Sequence, residues 1–211
     1  MEGLWTNLSF LKHNIKISAG KNYIIATLLI AILPVIVGFR FIEQMGMVKL
    51  FEVYLSLLGI LILGNILEHE SNKINEVVRS KKLSIINSFF FRMVIGIVVI
   101  LIFFSIVILF GKIGKGNFQV FQFVPGALIT SIFLGILCIT VYNITKKISA
   151  GYLISFSYYI FERLTMGKYT RNFMLFGLLK NNYESKFYLV GVIIGLVLIN
   201  IIILLRQKKF D

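Results

Sequence analysis

Long uninterrupted runs of apolar side chains constrain this sequence more than any other feature. A helix needs about 20 mostly apolar residues to cross the hydrocarbon core of a bilayer. Runs that approach this length predict six membrane-spanning helices, at residues 23–39, 50–67, 93–110, 123–144, 148–161 and 187–205. The fifth run has only 14 residues, so a re-entrant or broken helix that lines a protein interior fits it as well.

The overall composition also favours a membrane protein over a water-soluble one. Hydrophobic residues make up 58% of the chain and charged residues 15%, whereas a typical soluble domain has about 45–50% and about 25%. The net charge of +13 would suggest nucleic-acid binding in a soluble protein. Here the basic residues lie between apolar runs, where they face lipid headgroups. We expect one all-α integral membrane domain over residues 1–211, a lipid bilayer around it and no nucleic acid.

The distribution of Lys and Arg predicts the orientation of the spans. Of the 22 basic residues, 13 lie in the two terminal segments and in the connections that follow the second and fourth spans. The other nine lie in the connections that follow the first, third and fifth spans. Because cytoplasmic segments carry the excess of positive charge, we expect a multi-pass plasma-membrane protein with both termini in the cytoplasm. Five of the nine lie in residues 162–186, so the last outer connection is unusually basic.

The N-terminal arm, residues 1–21, carries one apolar helical stripe ahead of the first span. The stripe consists of Leu4, Leu8, Leu11 and Ile15. Such spacing, with lysines toward the polar side, predicts an elbow helix that lies in the membrane interface. An ordinary basic arm beside the membrane is the alternative.

The connection between the second and third spans, residues 68–92, is long and amphipathic. Its three acidic residues precede four of its five basic residues, an order that suits the helix dipole, and apolar residues recur on one face. We expect a charged cytoplasmic helix on which a soluble partner docks, with a passive connector as the alternative. The candidate docking residues are Glu68, Glu70, Lys73, Ile74, Glu76, Val77, Val78, Arg79, Lys81, Lys82 and Ser84.

The connection between the fifth and sixth spans, residues 162–186, contains a short apolar core at 172–179. This core is too short to cross a membrane, so we expect short helices that dip back into the outer leaflet; an ordinary outer loop is the alternative. The candidate outer gate is Glu162, Phe173 and Phe176. Carboxylates near spans are functional candidates by default, although Glu52 and Glu162 lie near span ends, where a structural role is equally compatible.

Residues able to carry out catalysis or hold a metal are scarce. The glycine-rich stretch 111–117 fails as a phosphate loop, because Asn117 and Phe118 stand where Lys and Ser or Thr are required. Lys73 stands where a metalloprotease helix beginning at His69 would need its second histidine. We therefore expect no catalytic, cofactor or metal site in this chain. Gly191 and Gly195 form a GxxxG pair, which indicates close helix packing.

In its layout the chain resembles the small six-span permease subunits of type II ABC exporters. Members of that family have an elbow helix before the first span, a charged coupling helix between spans two and three, and re-entrant helices between spans five and six. The segment from Glu68 and Glu70 through Ser84 to Arg92 is similar to the family's local motif. It departs from that motif at Asn72, where glycine is frequent, and in lacking proline.

The resemblance implies a transport subunit without enzymatic activity of its own. Two permeases, this chain with a second copy or a paralogue, would form the membrane unit. Two separate cytoplasmic ABC ATPase subunits, which bind ATP and Mg, would dock on the coupling helices. Small permeases rich in Ile and Lys look like those that export antimicrobial or amphipathic peptides or confer immunity to them, so a hydrophobic or amphipathic peptide is the expected substrate.

Two other functions fit parts of the sequence. A membrane immunity or scaffold protein without an ATPase would show the same spans. The substrate-binding membrane component of an importer would also have about six spans, but it would need no long amphipathic helix at residues 68–92. An intramembrane enzyme would need paired carboxylates or histidines within spans, and the sequence shows none. Association with an ATP-hydrolysing subunit would distinguish the exporter from the other functions.

Overall fold

The computed structural model describes residues 21–39, 42–68 and 85–210, and this part of the chain is helical without a β-strand. We number the α-helices in chain order and give the π- and 3₁₀-helices their own names. The α-helices are α1 (Lys21–Val37), α2 (Gln44–Lys49), α3 (Leu57–Glu68), α4 (Ile85–Ile113), α5 (Val120–Thr145), α6 (Ile148–Thr165) and α7 (Glu184–Phe210). A π-helical segment, Leu50–Leu55, joins α2 to α3, and two 3₁₀-helices, Arg171–Phe173 and Gly177–Lys180, lie between α6 and α7.

Four helical stretches among the described residues are long and apolar enough to cross a membrane. They are Gln44–Gly64, Phe89–Ile113, Val120–Thr145 and Glu184–Arg206. They correspond to the second, third, fourth and sixth apolar runs of the sequence. The apolar part of α1, Asn22–Leu33, is shorter, and α6 is not among the four. The first and fifth spans therefore stay predictions, whereas the described residues confirm an all-helical fold with four helices long and apolar enough to cross a membrane.

The centre of the fold is formed by the α2–α3 stretch and α5. In the apolar window of Gln44–Gly64, 78% of the residues are buried, against 28% in Phe89–Ile113 and 17% in Glu184–Arg206. The two central helices touch through small residues: a Cβ on Gly59 would collide with the carbonyl of Ser131, and a Cβ on Gly135 would lie 2.7 Å from the Gly59 carbonyl oxygen. Small residues at such crossings let helix backbones pack closely, which is how helices associate in membranes.

The remaining helices surround this pair and expose apolar side chains. Helix α3 contacts α1, α4 and α6, while α5 contacts α4, α6 and α7. Large apolar side chains point outward along these outer helices, among them Leu28, Leu109, Leu164 and Leu198. An exterior of this kind is unfavourable in water but matches the interior of a bilayer.

Residues 166–183, which we name the cap, connect α6 to α7 and fold back onto the bundle. Met174, Leu175, Phe176 and Leu178 are buried there. The chain reverses at Gly167, whose φ of 72° is readily accessible to glycine. The two 3₁₀-helices lie within the cap, and their depth in a bilayer stays a prediction.

Two of the segments singled out in the sequence lie largely outside the described residues. The proposed elbow helix covers residues 1–21, of which 1–20 lie outside the described residues, and the docking residues from Glu70 to Ser84 lie outside them as well. Helix α3 ends at Glu68, and α4 begins at Ile85. Residues 85–92, which the sequence analysis assigned to the connection, are therefore part of the same helix as the third span.

Candidate functional site: a charged cluster under the cap

Glu52 lies in the π-helical segment and is fully buried. A π turn contains more residues than an α turn, and such segments occur frequently at functional sites. The backbone of this segment is tied to α6, because the Tyr159 hydroxyl donates to the carbonyl oxygen of Val53 at 2.7 Å. The Ser56 hydroxyl donates to the same oxygen at 3.1 Å. The irregular helix thus holds a carboxylate inside the bundle.

Lys186, in the first turn of α7, forms an ion pair with this carboxylate. The distance from Lys186 Nζ to Glu52 Oε1 is 2.5 Å, and the side chains are 6% and 0% exposed. Nζ also donates to Thr130 Oγ1 at 2.7 Å and to the Leu175 carbonyl oxygen at 2.6 Å. An ammonium has three N–H donors, so all three are satisfied. A buried ion pair requires such complete hydrogen bonding, because removing two charges from water costs several kcal/mol per ion.

The Glu52 carboxylate also holds the second 3₁₀-helix of the cap. Its two oxygens accept the backbone N–H groups of Leu178 and Leu179, each at 3.1 Å. N–H groups in the first turn of a helix have no partner within the helix. A carboxylate from a distant part of the chain satisfies them here, as an N-terminal capping residue otherwise would.

Glu162, near the end of α6, holds the cap from another side. Its Oε2 accepts the Leu175 N–H at 3.2 Å, and the residue is fully buried. Its Oε1 has no hydrogen-bond partner among the described residues. Both backbone groups of Leu175 are therefore held by charged side chains, the N–H by Glu162 and the carbonyl by Lys186.

We call Glu52, Thr130, Glu162 and Lys186 the charged latch. Its members come from four elements: the π-helical segment, α5, α6 and α7. They converge on Leu175, Leu178 and Leu179, as the contacts above show. Among the described residues, no group of three or more His, Cys, Asp or Glu side chains could hold a metal ion. The arrangement is suited to fastening the cap across one end of the helix bundle.

A mostly apolar groove of about 730 Å³ opens beside the latch, between the first turns of α5 and α7. Lys186 reaches its wall, while Phe121 and Phe187 flank it with exposed fractions of 92% and 79%. Pro125, Ile129 and Val190 supply further apolar lining. The groove offers space for an apolar group next to buried charges.

The three predicted gate residues occupy different environments. Glu162 belongs to α6. Phe176 belongs to the cap and contacts α6, because its ring lies edge-on to Tyr159 with ring centres 5.4 Å apart. Phe173 lies instead against Tyr188 of α7, with ring centres 5.8 Å apart, and is 45% exposed. Their role as a gate stays a prediction.

Two latch members, Lys186 and Thr130, were not among the site residues predicted from the sequence. Lys186 was counted as a charge of the outer connection, although it directly precedes the sixth apolar run. A basic residue at the edge of one span and an acidic residue at the edge of another are the signal that could have suggested a pair. A single threonine in an apolar run carries no comparable signal.

Gly191 and Gly195 have no close neighbour in the described part of the chain. A Cβ at either position would meet no atom within 4 Å. No described helix therefore packs closely against these two glycines, and their role in helix packing stays a prediction.

Comparisons with known proteins identify no relative of this chain. No protein-family model matches the sequence, and neither a curated protein nor a solved structure shows significant similarity to it.

Proposed function

We propose that this chain is the membrane subunit of an ATP-driven exporter, forms half of the translocation path, and relies on separate cytoplasmic ATPase subunits. The observation that carries the proposal is the charged latch. Ionisable groups placed within or beside membrane spans are costly and usually functional. Here they fasten a cap over the end of the bundle that the distribution of basic residues predicts to lie outside.

The latch is connected to the proposed docking segment by a continuous helical stretch. Glu52 lies a third of the way along the stretch from Gln44 to Glu68, and residues 69–84 follow the far end of that stretch. The 16 residue steps from Glu52 to Glu68 would rise about 24 Å in an ideal α-helix, about four fifths of the thickness of the hydrocarbon core. A push on the docking segment would move this stretch and shift Glu52 against Lys186. Such differential contacts are what allow a partner to bias a conformational equilibrium.

The apolar groove supports an apolar or amphipathic substrate. It opens beside Lys186 at the cap end of α5 and α7. When the cap is fastened, Leu175 and Leu178 are buried against the bundle. Release of the latch would free this end, and the groove would then receive the apolar part of a peptide that leaves the membrane. The plasma membrane and cytoplasmic termini are part of the proposal.

The experiment tests association with an ATPase and export together. We expect the tagged chain, solubilised from its native membrane, to retain an ATP-hydrolysing subunit. The double variant Glu70→Lys, Glu76→Lys reverses two charges of the docking segment, so it should lose most of this associated ATPase activity and most efflux of a labelled amphipathic peptide.

The matched control reverses two exposed acids elsewhere, in the double variant Glu43→Lys, Glu184→Lys. It should keep both activities. Absence of any ATP-hydrolysing protein from the wild-type preparation would contradict the proposal and favour an immunity or scaffold protein. Equal activity of the two double variants would contradict the docking role of residues 68–92.

A further inference from the structure

The cap and the residues that flank it, 162–186 in all, carry positive charge that the latch does not neutralise. Residues 162–186 contain five basic residues and two acidic ones. Lys186 is paired with Glu52, and the other four basic residues form no ion pair with the described residues. These four are Arg163, Lys168, Arg171 and Lys180. Excess positive charge is unusual on the outer side of a membrane protein, where the sequence predicts this segment to lie, so its location in the fold requires an explanation.

Two of these basic residues line one small pocket. Arg163 and Lys180 face a cavity of about 230 Å³ whose other walls are Met166, Phe176 and Leu179. Lys180 donates one N–H to the Met166 carbonyl oxygen at 2.8 Å, which leaves two donors available. The Arg163 guanidinium forms no ion pair or hydrogen bond with the described residues. The pocket thus combines unused cationic donors with an apolar floor.

Exposed tyrosines on the cap and at the start of α7 are typical of headgroup depth in a bilayer. Tyr169 is 71% exposed, and Tyr183 and Tyr188 are 48% and 46% exposed. Tyr169 also stacks on Phe161 at the end of α6, with ring centres 6.1 Å apart. Tyrosines of this kind concentrate where a membrane meets water, because their rings are apolar and their hydroxyls polar. At that depth the cations of the pocket would lie level with lipid phosphates.

We propose that Arg163 and Lys180 bind the phosphate of an anionic phospholipid, with its glycerol and first acyl carbons on Met166, Phe176 and Leu179. A guanidinium can donate two parallel hydrogen bonds to a phosphate, and an ammonium adds a point charge. An amphiphile is required, rather than an anion alone, because the floor of the pocket is apolar. The lipid would fill the space between the end of α6 and the cap, independently of any export activity.

The experiment measures lipid binding to the purified full-length chain in detergent by native mass spectrometry. Wild type should bind phosphatidylglycerol at least tenfold more tightly than phosphatidylcholine. The double variant Arg163→Gln, Lys180→Gln should bind phosphatidylglycerol about thirtyfold more weakly. Each basic side chain that faces anionic lipid contributes about 1 kcal/mol to binding, and the variant loses two of them. Since Lys180 is exposed, Lys180→Gln alone should retain the fold and lose about fivefold.

The control double variant Lys168→Gln, Arg171→Gln removes the same charge from the cap outside the pocket. It should change the affinity less than threefold, and millimolar inorganic phosphate should not displace phosphatidylglycerol. Equal losses in the two double variants would show diffuse attraction and overturn the proposal. Equal affinity for the two lipids, or displacement by phosphate alone, would overturn it as well.

Discussion

Two buried polar clusters lie at opposite ends of the same pair of helices and differ in charge. The charged latch joins α5 and α7 near Thr130 and Lys186. The second cluster, which we name the amide cluster, joins them near Asn143 and Asn200, about 20 Å further along each helix. Asn143 Nδ2 donates to Asn200 Oδ1, and Asn200 Nδ2 donates to Thr140 Oγ1, both at 2.8 Å. One cluster is ionic, and the other is neutral.

The difference shows what each cluster can do. The amide cluster connects two helices that already pack together, and interhelical hydrogen bonds in membranes contribute about 0.6 kcal/mol on average. The charged latch connects four elements to a segment with little regular structure. Because these two ions are buried, loss of either member of the Glu52–Lys186 pair leaves the other charge uncompensated. A charged cluster can therefore respond in an all-or-none manner to a helix shift, whereas the amide cluster stabilises a fixed contact.

The largest effect is expected from Lys186→Met, which leaves the Glu52 carboxylate buried without its counter-ion. The free energy of unfolding in SDS should fall by about 3–5 kcal/mol. Tryptic cleavage after Lys168 and Arg171 should accelerate, because the cap loses its attachment. The control Lys147→Met changes an exposed lysine outside the cap, keeps both cleavage sites, and should stay within about 0.5 kcal/mol. A loss below about 1 kcal/mol in Lys186→Met would refute the latch.

An intermediate effect is expected from Asn200→Leu, which removes the centre of the amide cluster. The free energy of unfolding should fall by about 1–2 kcal/mol, since the lost hydrogen bonds are neutral. Tryptic cleavage of the cap should stay at the wild-type rate. Ile202→Leu, at an exposed position of the same helix, serves as the control. Accelerated cleavage of the cap in Asn200→Leu would show that the clusters are coupled and would remove the distinction between them.

The smallest effect is expected from Glu162→Gln, within the latch itself. The amide oxygen of glutamine can still accept the Leu175 N–H, and the carboxylate oxygen that has no described partner is replaced by a neutral group. The free energy of unfolding should change by less than about 1 kcal/mol. The same SDS titration measures it. A loss as large as that of Lys186→Met would mean that the third charge is as essential as the Glu52–Lys186 pair.

Local patterns predicted the helices well where apolar runs were long. The third and fourth apolar runs, residues 93–110 and 123–144, lie within helices of spanning length. The start of the second run was misjudged, because the helical stretch begins at Gln44 rather than at Leu50. The residues before Leu50 include Gln44 and Lys49. Both are polar, so a prediction from hydropathy does not include them in an apolar helix.

The candidate site was predicted only in fragments. Glu52 and Glu162 stood out because carboxylates are rare beside apolar runs. Their partners did not, since Lys186 pairs with Glu52 across a large separation in sequence, and the cap reaches them through backbone groups of Leu175, Leu178 and Leu179. Every residue apart from proline has the same backbone N–H and carbonyl groups. The pattern of side chains therefore does not predict which backbone group a distant charged side chain will bind.

The amino-acid sequence by itself determined that this chain forms apolar helices suited to a membrane, because helix length and hydropathy are properties of short contiguous stretches. Only the tertiary structure decided that α2–α3 and α5 form the centre, that the cap folds back, and that Glu52, Glu162 and Lys186 meet beneath it. Those outcomes depend on the close approach of Gly59 to α5 and on charges from separate helices, which pair only once the helices have packed.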